Sequence, residues 1–151
     1  MWKEWELGYL AGMIDGEGSI YIQRRLVHGH WSYHPRFQIT NTNRPVMEWI
    51  HQTFGGLIYD KPRKHINLKW KMQIEWFTTV GLMDTLLPLI YPFLIIKKPQ
   101  ATIMMKFRKT FTQKEGRSVS QETQNLRFEY LTQIKHLNSP LMPSPLLSYS
   151  A

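Results

Sequence analysis

Leu10-Ala11-Gly12-Met13-Ile14-Asp15-Gly16-Glu17-Gly18 is the stretch on which the reading of this chain turns. Trp5, Tyr9, Leu10, Met13 and Ile14 lead into it at helix-compatible spacing and predict a helix over residues 4–15. That helix runs out into Gly16 and Gly18, which alternate with Asp15 and Glu17. Helix C-termini carry partial negative charge and unpaired carbonyls, so acids in the last turn are disfavoured. A sequence that puts two acids there offers oxygens to a cation. Gly8 and Gly12 lie on one face of the same helix. A glycine in a helix interior costs on the order of 1 kcal/mol against alanine. The pair therefore predicts close backbone contact with something, another helix being the natural partner.

Working outward, residues 19–27 alternate as a strand, with Ile20 and Ile22 against Tyr21 and Gln23. A turn region begins at His28-Gly29-His30, and residues 36–40 alternate again as the second strand of a hairpin. Residues 44–54 read as a helix, with Pro45 in the first turn and Gly55-Gly56 after the last. A short strand at 57–59, a basic turn at 62–65 and a strand over 68–77 follow. In the last, Trp70, Met72, Ile74 and Trp76 point one way and Lys69, Lys71, Gln73 and Glu75 the other. Helices are expected over 82–91 despite Pro88, from Pro99 to about 109, and over 122–137. Between the last two, residues 113–121 form a polar loop. The order α-ββ-α-ββ-α with further helices predicts an α+β fold, an antiparallel sheet with helices on one face. One domain is expected, with a core over 1–110, a C-terminal loop and helix over 111–137 and an irregular proline-containing tail over 138–151.

The composition narrows the partner. Lys and Arg number 19 against 11 acids, a formal net charge of +8, which favours a polyanion, nucleic acid first. No stretch reads as an amphipathic helix with a basic polar face, so a membrane surface ranks lower. The absence of cysteine excludes disulfides, thiolate catalysis and Cys-ligated zinc. There is no apolar run of membrane-spanning length, and Met1 to Glu6 carries acids rather than a signal peptide's apolar core. An intracellular protein of a microbe or an organelle interior is expected, with no membrane partner and no small-molecule substrate.

The outward strand residues are Tyr21, Gln23, Arg25, Arg36, Gln38, Lys69, Lys71 and Gln73, and Ser19 heads the first strand on the same side. Arg, Lys and Gln donate to phosphates and read purine edges, so an apolar-backed sheet with this front is a candidate groove reader. Lys61 and Arg63 in the neighbouring basic turn, and Lys114 and Arg117 in the polar loop, are further candidates for DNA contact. His28, His30 and His34 lack an obvious further ligand set and read as DNA-contacting or solvated rather than as a zinc site.

Residues 10–18 resemble the signature of the LAGLIDADG homing endonuclease family, and the flanking αββαββα order is similar as far as about residue 110. Lys97, in Tyr91-Pro-Phe-Leu-Ile-Ile-Lys-Lys-Pro-Gln-Ala101, resembles the family's active-site lysine after the third helix. The resemblance implies a saddle-shaped sheet and a metal-dependent endonuclease. It implies that Glu17 is the acidic metal ligand, with the carbonyl of Gly16 joining it. Asp15 stays open between a metal ligand and a residue that shapes the helix end. It implies that Lys97 steadies transition-state charge or polarises the attacking water, and that Asn41 stands where the family has a water-ordering polar residue, more often Gln. The leading positions of the motif would form a helix-helix interface, so Gly8, Ala11 and Gly12 would meet their copies on another subunit. Only one motif is present; residues 80–84 resemble part of a second but lack the Gly-acid-Gly that should follow. One motif implies a homodimer and a near-palindromic target of about 15–20 base pairs. Mg²⁺ is the expected cofactor, with Mn²⁺ as a substitute, because it is hard, oxygen-seeking and keeps waters. Family members of this kind cut across the minor groove, leave short 3′ overhangs and are usually encoded in an intron or intein. The rivals on the same fold are an RNA-splicing maturase and a DNA-binding protein without cleavage.

Overall fold

The computed structural model describes residues 1–61, 71–112 and 118–139. Helix α1 (Glu4–Glu17) leads into a hairpin of β1 (Gly18–Val27) and β2 (His30–Asn41). Then come α2 (Arg44–Phe54), β3 (Leu57–Lys61), β4 (Gln73–Phe77) and α3 (Val80–Ile90). A 3-10 turn (Tyr91–Phe93), α4 (Lys98–Arg108) and α5 (Gln121–Asn138) complete the order. The four strands form an antiparallel sheet in the order β1-β2-β4-β3. This is the expected α+β architecture.

Alternation places the core. Ile20 and Ile22 of β1, Tyr33, Phe37 and Ile39 of β2, and Ile74 and Trp76 of β4 are buried on one face of the sheet. They pack with Leu10 and Ile14 of α1, Met47 and Ile50 of α2, Met83 and Leu86 of α3 and Met104 and Phe107 of α4. Burying a Leu, Ile, Phe or Met side chain contributes about 1.5–3 kcal/mol, so this one layer accounts for most of what holds the helices on the sheet. α5 packs on α4 and β1. Its Arg127, 3% exposed, donates to Thr110 Oγ1 and the Thr110 carbonyl and lies 3.7 Å from the centre of the Phe111 ring.

Several element ends differ from the sequence reading by one or two residues, and β2 and β4 differ by more. α1 runs two residues further than 4–15, because the Gly18 N–H donates to the Ile14 carbonyl and keeps the last turn closed. β2 begins at His30, not at 36. His28 and Gly29 both take positive φ (48° and 79°), so the hairpin turns in two residues and the alternation starts again at once. β4 begins at Gln73, which pairs with Lys61, the last residue of β3. Lys71 and Met72, expected in that strand, precede it as irregular chain, and residues 68–70 lie outside the described residues.

Candidate active site and nucleic-acid interface

Asp15, Gly16 and Glu17 form the last turn of α1, which has no basic residue of its own. Asp15 is half-buried and fully engaged. Its two carboxylate oxygens accept the backbone N–H groups of Ile95 (2.7 Å) and Lys97 (2.9 Å). Its carbonyl accepts the Lys97 ammonium at 2.9 Å. Lys97 is the N-cap residue of α4, so three bonds stitch the end of α1 to the start of α4. The ammonium supplies the positive charge that the α1 C-terminus lacks. Lys98 is directed elsewhere, over the Tyr91 ring at 5.2 Å.

Glu17 differs from Asp15. It is exposed, and it takes no hydrogen bond or ion pair among the described residues. Its neighbour Gly18 is held tightly: an added Cβ would lie 2.6 Å from the Ile14 Cα and 2.8 Å from its carbonyl oxygen. The α1-to-β1 corner thus has one geometry, and Glu17 leaves it toward solvent. Asn41 is the last residue of β2, two beyond Ile39, which pairs with Gly18. Its Oδ1 accepts the Asn43 N–H at 2.8 Å, so its amide nitrogen is the group it can offer. No group of three His, Cys, Asp or Glu side chains among the described residues could hold a metal ion. One chain therefore brings Glu17 and the neighbouring carbonyls. That donor set fits a hard cation that keeps several waters, such as Mg²⁺, and does not fit a dedicated protein cage.

Among the described residues little covers the Gly8 and Gly12 face of α1. A Cβ at Gly12 would meet nothing within 4 Å, and one at Gly8 would make only an ordinary 3.9 Å contact with Phe93. Among the described residues the two glycines therefore meet no neighbouring helix backbone. Ala11 is 0% exposed and belongs to this chain's own core, which removes it from the expected subunit interface. Beside this face stand Trp5 (58% exposed) and Tyr9 (47%), both against Trp49.

The sheet face away from the helices carries the polar residues. Register puts Ser19 beside Gln38, Tyr21 beside Arg36 and Gln23 beside His34, with Arg25 opposite Ser32. Lys61 pairs with Gln73 at the far end. Tyr21 donates to Gln38 (3.3 Å) and Arg25 to Gln23 (3.2 Å). Lys71 is exposed just before β4. Arg63, Lys69, Lys114 and Arg117 lie outside the described residues. The sequence reading missed Ser32, Thr40 and Tyr59 on this face, took His34 as DNA-contacting or solvated without placing it on a strand, and placed Glu75 there as an ordinary outward residue. Recognising the two-residue turn at His28-Gly29 would have found Ser32 and placed His34, since the alternation then extends back to His30. Glu75 is only 7% exposed. The Tyr59 phenol donates to it at 2.8 Å. The ring of Tyr59 is 43% exposed, but its hydroxyl end is turned onto Glu75. Partial desolvation first, then the bond to and charge of Glu75, raise the phenol's pKa above the usual tyrosine value, against an opposing effect of Arg36. Tyr59 therefore stays a protonated donor at neutral pH.

The family model described as LAGLIDADG endonuclease matches residues 10–85, just over half of the chain. No curated protein sequence matches it. Solved structures share the fold. An archaeal intron-encoded homing endonuclease, I-Vdi141I, complexed with DNA, aligns with TM-score 0.74 at 19% identity, over 96% of this chain and 92% of that one. I-CvuI, in complex with its target in the presence of calcium, aligns with TM-score 0.60 at 18% identity, over 87% of this chain and 96% of that one. I-GzeII, in complex with a DNA target, aligns with TM-score 0.65 at 18% identity, over 98% of this chain but 48% of that one. No helix among the described residues is long and apolar enough to cross a membrane.

Proposed function

The chain belongs to the LAGLIDADG endonuclease family, and from that premise we propose that it is a homodimeric homing endonuclease making a metal-dependent double-strand break in a long, near-palindromic DNA site. The observation that carries this reading is the pairing of an exposed Glu17, unpartnered among the described residues, with a Lys97 ammonium bonded at the same helix end. A protein that only binds nucleic acid has no use for a free carboxylate beside phosphates, because like charges repel. The same argument ranks the maturase and the non-cleaving binder below the nuclease.

Glu17 and the Gly16 carbonyl are the groups that would hold Mg²⁺, with Mn²⁺ as a substitute. When bound, the metal supplies activation of water and stabilisation of charge on the phosphate and leaving oxygen. Lys97 brings a positive charge to the same place, where it steadies the phosphorane or orients the attacking water. Asp15 acts through Lys97: both its oxygens serve the loop before α4, so its role is to hold that lysine, not to ligate metal directly. Asn41 offers its amide to water at the same corner.

Two copies complete the site. This chain aligns with about half of I-GzeII, so a pair of chains would match what that protein carries in one. The Gly8 and Gly12 face of α1 would then meet its own copy, bringing the two Glu17 residues together near the two-fold axis. Ser19, Tyr21, Gln23, Arg25, Arg36, Gln38, Lys61 and Gln73 would follow the duplex, with Lys71 at the end of the face. The 10 residues of β1 extend about 33 Å, or about 10 base pairs per half-site at about 3.4 Å each. Incubation with a plasmid library of random inserts tests the reading. With Mg²⁺, breaks at one near-palindromic sequence with short 3′ overhangs are expected, and chelation should stop them. No cleavage of any insert with Mg²⁺ or Mn²⁺ would refute it.

A further inference from the structure

Glu75 is a carboxylate in the middle of the face that should meet phosphates, where charge alone argues against it. It is flanked in register by Thr40 of β2 and Tyr59 of β3 and is 7% exposed. Its two oxygens are divided. Oε1 accepts the Tyr59 hydroxyl at 2.8 Å, and Oε2 lies 3.3 Å from the Lys61 ammonium. The Tyr59 ring is also set edge-on to Phe77, centroids 5.7 Å apart. Tyr59 and Lys61 stand two residues apart on the edge strand β3, and both are exposed apart from these contacts.

We propose that Glu75 is a specificity-determining positioning residue, which fixes Tyr59 and Lys61 as a pair over the DNA face so that the bases beneath β3 and β4 are read in one geometry. The proposal rests on the endonuclease reading above. Glu75 is too covered to reach a base, so it acts through its two partners. A lysine on a free four-carbon stem swings to the nearest phosphate, which every sequence offers, and phosphate contacts carry no base information. Held by a largely buried carboxylate in a charge-assisted contact, Lys61 instead keeps one place and one direction. The carboxylate also repels the phosphates of any duplex that fits poorly. It lowers affinity for all DNA and widens the gap between the right sequence and the wrong one, which is discrimination by a repulsive element.

Glu75→Gln keeps the shape and removes the charge. Wild type and variant are each used to select from random duplexes of about 20 base pairs, and binding to the wild type's preferred duplex and to a scrambled one is followed against salt. The variant should bind the scrambled duplex about threefold or more tightly, with a salt slope steeper by up to about 0.9, one added phosphate contact. Its base preferences should flatten at one cluster of positions in each half-site and persist elsewhere. Base preferences and salt slope equal to those of wild type would overturn the proposal, whatever happens to the melting temperature. Tyr59→Phe removes one donor and should weaken preference within the same cluster without steepening the slope. It keeps the test alive if the Gln variant does not fold, and unchanged preferences in it overturn the proposal equally. A wild-type protein that selects no sequence at all would instead refute the endonuclease reading.

Discussion

A methyl group added at Gly18 would lie 2.6 Å from the backbone of Ile14, whereas the same group at Gly12 would meet nothing within 4 Å. The two glycines belong to one nonapeptide and one helix end, yet they answer to different demands. Gly18 is required by the chain's own fold: it lets β1 start directly against the last turn of α1. Gly12 is required by nothing among the described residues, and it costs helix stability where it stands. Such a helix face, maintained at a cost, makes sense where something outside the chain must come close. The inner end of α1 thus has one fixed geometry beside Glu17, and its outer face is the one that the proposed dimer would use.

Three substitutions and one control test this contrast, in descending order of effect. Gly18→Ala should destabilise the chain by up to about 3 kcal/mol in urea unfolding, because the crowding atoms are backbone and cannot step aside cheaply. Gly16→Ala is its control; with open space around Gly16, no loss is expected. Equal losses in the two variants would break the contrast. Asp15→Asn presents an amide NH₂ to one of the two N–H groups now bound by the carboxylate. Turnover should fall about 10–100-fold, the usual scale for removing a supporting group, while the DNA dissociation constant stays as it was. Loss of DNA binding in step with turnover would argue against a role through Lys97. Gly12→Met should leave the monomer as stable as before or up to about 1 kcal/mol more so. Sedimentation should show the dimer weakened about tenfold, equal to about 1.4 kcal/mol. An unaffected dimer would move the interface elsewhere on the molecule.

Legibility followed the same divide. The core could be read because Ile20, Ile22, Ile39, Ile74 and Trp76 repeat at the period of a strand and the α1 residues at that of a helix, and nothing local opposes them. The motif could be read because acids at a helix C-terminus and glycines inside a helix are locally unfavourable, and such conflicts mark function. Other features needed three dimensions. Asp15 bonds to residues 80 and 82 positions away, a distance no spacing rule covers. Ala11 belongs to the core because of where α1 lies on the sheet, which its place in the motif does not reveal. Glu75 obeys the alternation and points to the polar face, but its burial comes from Tyr59 and Thr40 on neighbouring strands.

The central claim is that Glu17 serves chemistry and not the fold. Its exposure and lack of a partner among the described residues predict that Glu17→Gln changes neither unfolding nor DNA recognition. The decisive measurement follows binding and cleavage of one target duplex by this variant and by wild type, in the presence of Mg²⁺. The account predicts binding within about twofold of wild type and cleavage reduced at least about 100-fold. Cleavage at the wild-type rate by a variant that binds normally would contradict it.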